Sequence, residues 1–305
     1  MTDEQPPDPT RSPDHSPVVG AGVGARAGTR VLARSHERGR PEFPRAAADW
    51  LVAGQARTVL ELGAGTGKLT RVLLATGHDV HACDADEAML EVLRDTLPGV
   101  RASTWSGGDL PAADRSVDVV VCVDAFESLD HEQALPEIAR VLKPGGHLAV
   151  AHHERDERIP WVRRLGRLLG TTARRAADEP GSTHEVLVHS TLFSFVEEGS
   201  FKSWQDVNRE TVVDLARSHL GGCDEDELDQ ALAEVVAFYD EFGRGMDGMQ
   251  LPYLVRGHRT QVVHQPGLFA DGGALGELPE PEDAAVAGSF LSDGTDTDML
   301  LIDFR

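Results

Sequence analysis

Cations are scarce in this chain. Lysine and arginine total 29 of its 305 residues against 51 aspartates and glutamates, a formal net charge of -22. A polyanion is bound by clustered cations that release its counterions, so this balance argues against a nucleic-acid surface and against docking on an anionic membrane. It still permits a local basic pocket. The acid surplus itself is what solubility or salty surroundings would favour. Cysteine is also scarce. Cys83, Cys122 and Cys223 are scattered and odd in number, with no Cys-x-x-Cys pair. Neither a zinc knuckle nor a disulfide framework is indicated, and a reducing cytoplasm is the expected compartment. No run of about 18 apolar residues suggests a membrane span. The polar, Pro-rich start MTDEQPPDPTRSPDHSP has no apolar segment of the kind a signal peptide carries.

What is present is a chain 40% hydrophobic and 26% charged, enough to bury a real core. Residues 1–32 mix Pro, Gly, Ala and charge without periodicity and read as a disordered leader. Residues 266–305 hold nine acidic residues and one Arg and read as a mostly disordered acidic tail. Between them, strands alternate with helices. TVLEL (58–62) reads as a buried strand, 67–76 as a helix, 79–83 as a second strand. Asp86 is placed to cap a helix that stops at Pro98-Gly99. VDVVVCV (117–123) is strongly β-branched and suits the centre of a sheet. A helix over 132–142, a Lys143-Pro144-Gly145-Gly146 turn and a strand over 147–152 follow. This alternation predicts βαβ units and a parallel sheet covered on both faces. From about 155 to 245 the pattern turns mainly helical, with one short strand near 201–204, and predicts a cover over the sheet's C-terminal edge. A last strand is expected over 251–263.

The strongest local signal is VLELGAGTG (59–67), a strand running into a glycine turn that opens a helix. Glycine is needed where a backbone turns tightly beside a ligand. A dinucleotide fingerprint has G-x-G-x-x-G, whereas here the spacing is G-x-G-x-G and Lys68 takes the place of the third Gly. Asp84 lies 21 positions past Gly63, at the end of the next strand. A carboxylate there can accept both ribose hydroxyls of an adenosine. A nucleoside without a diphosphate is therefore the expected ligand.

Together with CDADEAML (83–90), LPAADRSVDVVV (110–121) and ALPEIARVLKPGGHLAV (134–150), the segment ELGAGTGKLT (61–70) resembles the class I S-adenosylmethionine-dependent methyltransferases. ERGRPEFP (37–44), RDERIPWVRRLG (155–166) and DGMQLPYLVR (247–256) look like the type 11, trans-aconitate methyltransferase-like subgroup. The resemblance covers roughly residues 33–264. It implies an α/β, Rossmann-like fold: a seven-stranded, mostly parallel sheet with helices on both faces, an antiparallel last hairpin and S-adenosylmethionine bound across its C-terminal edge. It implies that Gly63, Ala64, Gly65 and Gly67 pass beside the methionine part and ribose. Glu61 would orient the loop or meet the methionine ammonium. Asp84 would hold the ribose diol, Ala85 would lie against adenine, and Arg40 would pair with the cofactor carboxylate.

Several positions depart from the subgroup. Gly108 stands where an acidic residue is usual, with Asp109 one later, so backbone groups of Gly108, Asp109 and Leu110 are the expected adenine contacts. The run Asp124-Ala125-Phe126-Glu127-Ser128-Leu129 resembles a segment of ubiquinone-type O-methyltransferases; Asp124 is counted with the cofactor residues, and Glu127 is a candidate for binding a polar group of the substrate. His152-His153 replaces a Trp-Asn pair, and His36 a Tyr. Adjacent strand residues point opposite ways, so at most one of His152 and His153 should face the pocket; His153 is the candidate base. Adjacency also argues against a metal site at 152–154, and no metal is expected. Trp161, Phe193, Phe195, Trp204, Met249 and Tyr253 are available to line an apolar pocket or to pack in the core. Arg163, Arg164, Arg167, Arg174 and Arg175 are expected to pair with the acidic surface. The resulting expectation is a monomeric or homodimeric, cytoplasmic methyltransferase acting on a small molecule, with O-methylation favoured. A catalytically silent relative that binds the cofactor or a partner is the alternative.

Overall fold

The computed structural model describes residues 23–55, 57–170, 182–243 and 248–263. The chain runs through α1 (Val23–Gly39), α2 (Arg45–Val52), β1 (Thr58–Leu62), α3 (Lys68–Ala75), β2 (Asp79–Asp84), α4 (Glu87–Thr96), β3 (Arg101–Thr104) and β4 (Val117–Val123). It continues through α5 (His131–Val141), β5 (Leu142–Arg155), α6 (Pro160–Leu168), α7 (Thr183–His189), β6 (Phe193–Val207), α8 (Arg209–Leu220), α9 (Glu225–Phe242) and β7 (Met249–Val262). A single 3-10 turn, Phe126–Ser128, follows β4.

The seven strands form one sheet in the order β3-β2-β1-β4-β5-β7-β6. The first five pair in parallel and the last two add antiparallel, as expected of this fold. The order reverses between β1 and β4, which opens a crevice at their C-terminal ends where ligands of open α/β sheets bind. Central strands are buried on both faces, hence their unbroken apolar runs. Leu60, Leu62, Val120, Cys122, Leu148 and Val150 pack on one face with Ile138 of α5 and Leu187 of α7. Val59, Val119, Val121, Ala149 and Ala151 pack on the other with α2 and α3. Truncating a fully enclosed side chain such as Leu60 costs about 2–5 kcal/mol.

Two elements differ from the sequence expectation. The leader expected over 1–32 is helical from Val23 onward, because α1 has a partner: Gly39 comes so close to α8 that a Cβ there would lie 2.2 Å from the Leu215 nitrogen. Ser35 Oγ and the Arg38 guanidinium both donate to the Asp214 carboxylate, at 2.7–2.9 Å. The short strand expected near 201–204 is the fifteen-residue edge strand β6. Its outward positions carry charge and even exposed aromatics, Phe195 and Trp204, which mask the alternation. Of the remaining apolar candidates, Trp161, Phe193 and Met249 pack in the core. Arg164 pairs with Glu241 at 3.0 Å and lies over Phe238 and Phe242, while Arg174 and Arg175 fall outside the described residues. The acidic tail falls outside them too. Among the described residues, no helix is long and apolar enough to cross a membrane.

Candidate active site

The crevice holds a cavity of about 260 Å³. Its walls come from the ends of β1, β2, β4 and β5, from Tyr253 of β7, and from the end of α1. Gly63 and Gly65 form its floor with φ of +72° and +55°, a region L side chains rarely adopt. A Cβ on Gly63 would stand 2.2 Å from that of Ala125, so the loop passes β4 only without a side chain. Gly67 has a different task. It does not line the cavity, and its missing Cβ would press on Leu93 and Leu97 at 3.0–3.1 Å, so it lets α4 pack beside the loop.

Asp84 lies against the glycine loop. Its Oδ2 accepts from the Gly65 N–H at 2.7 Å and its Oδ1 from the Asp86 N–H at 2.9 Å. The neighbouring Ala64 N–H donates to the Cys83 carbonyl at 2.9 Å. Each carboxylate oxygen thus has one lone pair engaged and another left for a ligand hydroxyl. Burial raises the Asp84 carboxyl above its ordinary value, against the pull of the Asp86, Gly65 and Ala85 backbone N–H groups. Glu61 beneath it is fully enclosed. Thr70 Oγ1 donates to its Oε2 at 2.7 Å, but burial prevails and pushes its pKa up to about 8.

Opposite the glycine loop, Asp124 ends β4 with φ +57°. A non-glycine residue held there is strained, and such strain clusters at functional sites. The turn brings its carboxylate back onto β5: Oδ1 accepts from the His153 N–H at 2.9 Å and Oδ2 lies 2.7 Å from His153 Nδ1. An ionised carboxylate only accepts, so Nδ1 carries the proton and Nε2 its lone pair. Nε2 is buried and has no hydrogen-bond partner among the described residues. Phe43 and Tyr253 meet the ring edge-on, at 5.5 and 6.0 Å between centroids, and fix its plane. His152 points to the other face, where it stacks on His258.

The end of α1 supplies His36 and Arg40. His36 is pushed down to about 4 by burial and by the charges of Arg40 and Lys68. Arg40 donates through Nε to Ser218 Oγ at 2.9 Å and through Nη2 to the Ser218 carbonyl at 3.3 Å, which leaves Nη1 for a ligand. Behind it His219 is pushed to about 3 by burial and by Arg40; its Nδ1 donates to the Leu215 carbonyl and its Nε2 lies 3.3 Å from an Arg155 Nη1.

These shifts predict a stability optimum. Neutral, buried His36 and His219 resist protonation, while in the unfolded chain they titrate near 6.5, so folding stability falls as pH drops from 6.5 toward 4. Glu61 acts the other way. The folded state holds its proton up to about pH 8, the unfolded chain only to 4.5, so stability falls with rising pH in that window. One group contributes a slope of at most about 1.4 kcal/mol per pH unit. Burial lowers His78, His81, His147 and His258 as well, so the histidines together outweigh Glu61 below 6.5, and Glu61 dominates above it. Denaturant melts should therefore peak near pH 6.5, and Glu61→Gln should abolish the decline toward pH 8. A wild-type profile rising steadily from 6.5 to 8 would contradict this.

Of the residues the sequence singled out, Arg40, Glu61, Gly63, Ala64, Gly65, Asp84, Asp124 and His153 line the cavity. Ala85, Gly108, Asp109, Leu110 and Glu127 do not, nor does Gly67. The groups named for adenine have other partners: the Leu110 N–H donates to Glu137 at 2.8 Å, and the Gly108 carbonyl accepts from Trp105 Nε1 at 3.3 Å. Glu127 accepts from Thr183 Oγ1 of α7 at 3.5 Å, away from the cavity wall. The cavity adds residues the sequence reading did not assign to the cofactor, notably Pro41, Leu69, Asp86 and Met89. Met89 lies in the CDADEAML segment, one turn past the Asp86 cap.

Residues 60–150 match the model of a methyltransferase domain. An uncharacterized methyltransferase of Mycobacterium tuberculosis is 46% identical over 157 residues, 52% of this chain and 60% of that protein. A demethylmenaquinone methyltransferase of Tropheryma whipplei is 34% identical over 152 residues, 48% of this chain and 63% of that protein. The chain thus spans about 60% of the length of the curated relatives it matches. A solved structure of a methyltransferase candidate from an antibiotic biosynthesis pathway of Anabaena variabilis aligns with TM-score 0.53 at 20% identity, over 71% of this chain and 95% of that one. That likeness is one of fold. Strand order, glycine loop and the matched region over residues 60–150 are similar to those of class I methyltransferases, which use S-adenosylmethionine. The donor set fits that molecule: a two-oxygen acceptor for a ribose at Asp84, a guanidinium for a carboxylate at Arg40, and a side-chain-free floor between them.

Proposed function

We propose that the chain transfers a methyl group from S-adenosylmethionine to an oxygen of a small-molecule acceptor, a hydroxyl-bearing organic acid or secondary metabolite. The observation that carries this reading is the Asp124–His153 pair, 2.7 Å apart, on the cavity wall across from the glycine loop. The bound cofactor supplies an activated methyl carbon, and the protein supplies alignment. Asp84 fixes the ribose end and Arg40 the carboxylate end. Asp124 would hold His153 in the tautomer whose Nε2 accepts a proton, and Nε2 would take the proton of the acceptor hydroxyl. Phe43 and Tyr253 keep the ring from turning away. A carboxylate acceptor would need no such base, which is why the pair favours a hydroxyl. The likeness of ERGRPEFP to the trans-aconitate-type subgroup agrees with the place of Arg40 in the cavity.

The test is turnover. Purified full-length chain, S-adenosylmethionine and a panel of hydroxy acids, phenols and simple carboxylates are incubated, and S-adenosylhomocysteine and methylated products are read by mass spectrometry. Methyl ethers with stoichiometric S-adenosylhomocysteine are expected. Cofactor binding without turnover on any acceptor would instead favour a silent, cofactor-binding protein. Methyl esters alone would remove His153 from the reaction.

A further inference from the structure

On the face of the sheet opposite the cavity, three metal-ligating side chains from three elements meet. Glu198 of β6 and His258 of β7 are direct cross-strand partners, which sets their side chains side by side. His184, in the first turn of α7, closes over them. Its Nδ1 lies 2.8 Å from Glu198 Oε1, and His258 Nε2 lies 3.7 Å from the same oxygen. One ligand atom from each residue falls within 4.8 Å of the others.

Hydrogen bonding does not account for this arrangement. His258 is more than nine-tenths buried; its Nδ1 has no hydrogen-bond partner among the described residues, and its Nε2 meets the Glu198 carboxylate only at 3.7 Å. His184 Nδ1, close as it is to the carboxylate, is out of line for an N–H donor and also has no hydrogen bond. Buried imidazoles are ordinarily hydrogen-bonded, and an exception calls for a partner of another kind. Atoms bound at 2.0–2.1 Å around a tetrahedral zinc ion stand about 3.3–3.4 Å apart, and the two distances here bracket that value. Two imidazoles and one carboxylate are a donor set that suits zinc, with a fourth position left to water.

We propose that His184, Glu198 and His258 bind a divalent transition-metal ion of the zinc type, one per chain. The ion would clamp α7 onto the β6–β7 hairpin. Since Thr183 at the start of α7 donates to Glu127, the clamp would also steady the turn that follows β4. His152 stacks on His258 at 6.0 Å and flanks the site, with its own Nε2 3.2 Å from Glu154. The site is separate from the methyl-transfer cavity, so it stands whether or not the proposed reaction is correct.

The experiment uses the full chain carrying Cys223→Ser, which removes the exposed thiol as a competing ligand. After chelator treatment it is titrated with zinc chloride by calorimetry, and bound metal is counted after desalting. One equivalent is expected, with a rise in melting temperature. Cobalt in its place should give the visible bands of a tetrahedral ion with nitrogen ligands. Glu198→Gln and His184→Ala lie at partly exposed positions and should fold. Each should weaken zinc about 100-fold and erase both the melting shift and the cobalt bands. His258→Gln should abolish binding. No stoichiometric zinc, or zinc held equally well by the Glu198→Gln and His184→Ala variants, would overturn the site.

Discussion

Asp84→Ala should bind S-adenosylhomocysteine at least about 100-fold more weakly than the wild type. A carboxylate across a ribose diol makes two charge-assisted hydrogen bonds, each contributing about 1.5–3 kcal/mol, and both are lost. The substitution also releases the Gly65 and Asp86 N–H groups, now held at 2.7 and 2.9 Å, so the glycine loop loses its tether to the end of β2. Asp84→Asn separates the two effects. Its oxygen can keep one backbone N–H, but its amide NH2 faces the other N–H and one hydroxyl loses its acceptor. Binding about 10-fold weaker than wild type is expected for Asn. Calorimetry reads both variants directly. Wild-type affinity in Asp84→Ala would place the ribose elsewhere.

His153→Ala should leave cofactor affinity within about twofold of wild type and lower kcat by about 100-fold or more, in the range a positioned base contributes. Asp124→Asn should lower kcat as well, because an amide presents a donor as readily as an acceptor to Nδ1 and no longer fixes the tautomer. Asp124 also accepts the His153 backbone N–H at 2.9 Å, so the Asn variant retains part of its positioning role and its loss should be the smaller of the two. Equal kcat in wild type and His153→Ala would assign the acceptor to the class that needs no base.

The central fold was legible because its determinants are local. A β-branched run, a glycine turn with a dictated backbone, and a capping aspartate lie within a few residues of what they specify, so β1, β2, β4 and the second half of β5 could be placed from pattern alone. Asp84 was legible by the same logic, since a strand length fixes its distance from Gly63. What escaped depends on distant partners. Residues 23–32 read as leader because Arg, Gly and Ala carry little periodic signal, and the buried partner of α1, Asp214, lies some 180 positions away in sequence. The partners of the backbone at Gly108 and Leu110 escaped for a similar reason: Trp105 and Glu137 meet those groups, and Glu137 comes from a helix beyond the next strand. Glu127 was counted toward the pocket from its place after β4, but the 3-10 turn carries it to α7. The His184–Glu198–His258 cluster had no sequence signature at all. Its spacing follows from hairpin register, which no short motif encodes.

Calorimetric titration of the wild-type chain with S-adenosylhomocysteine and, separately, with NAD tests the ligand assignment of the 63–67 loop most directly. One equivalent of S-adenosylhomocysteine should bind and NAD should give no heat of binding. Binding of NAD in its place, or of neither, would contradict the account.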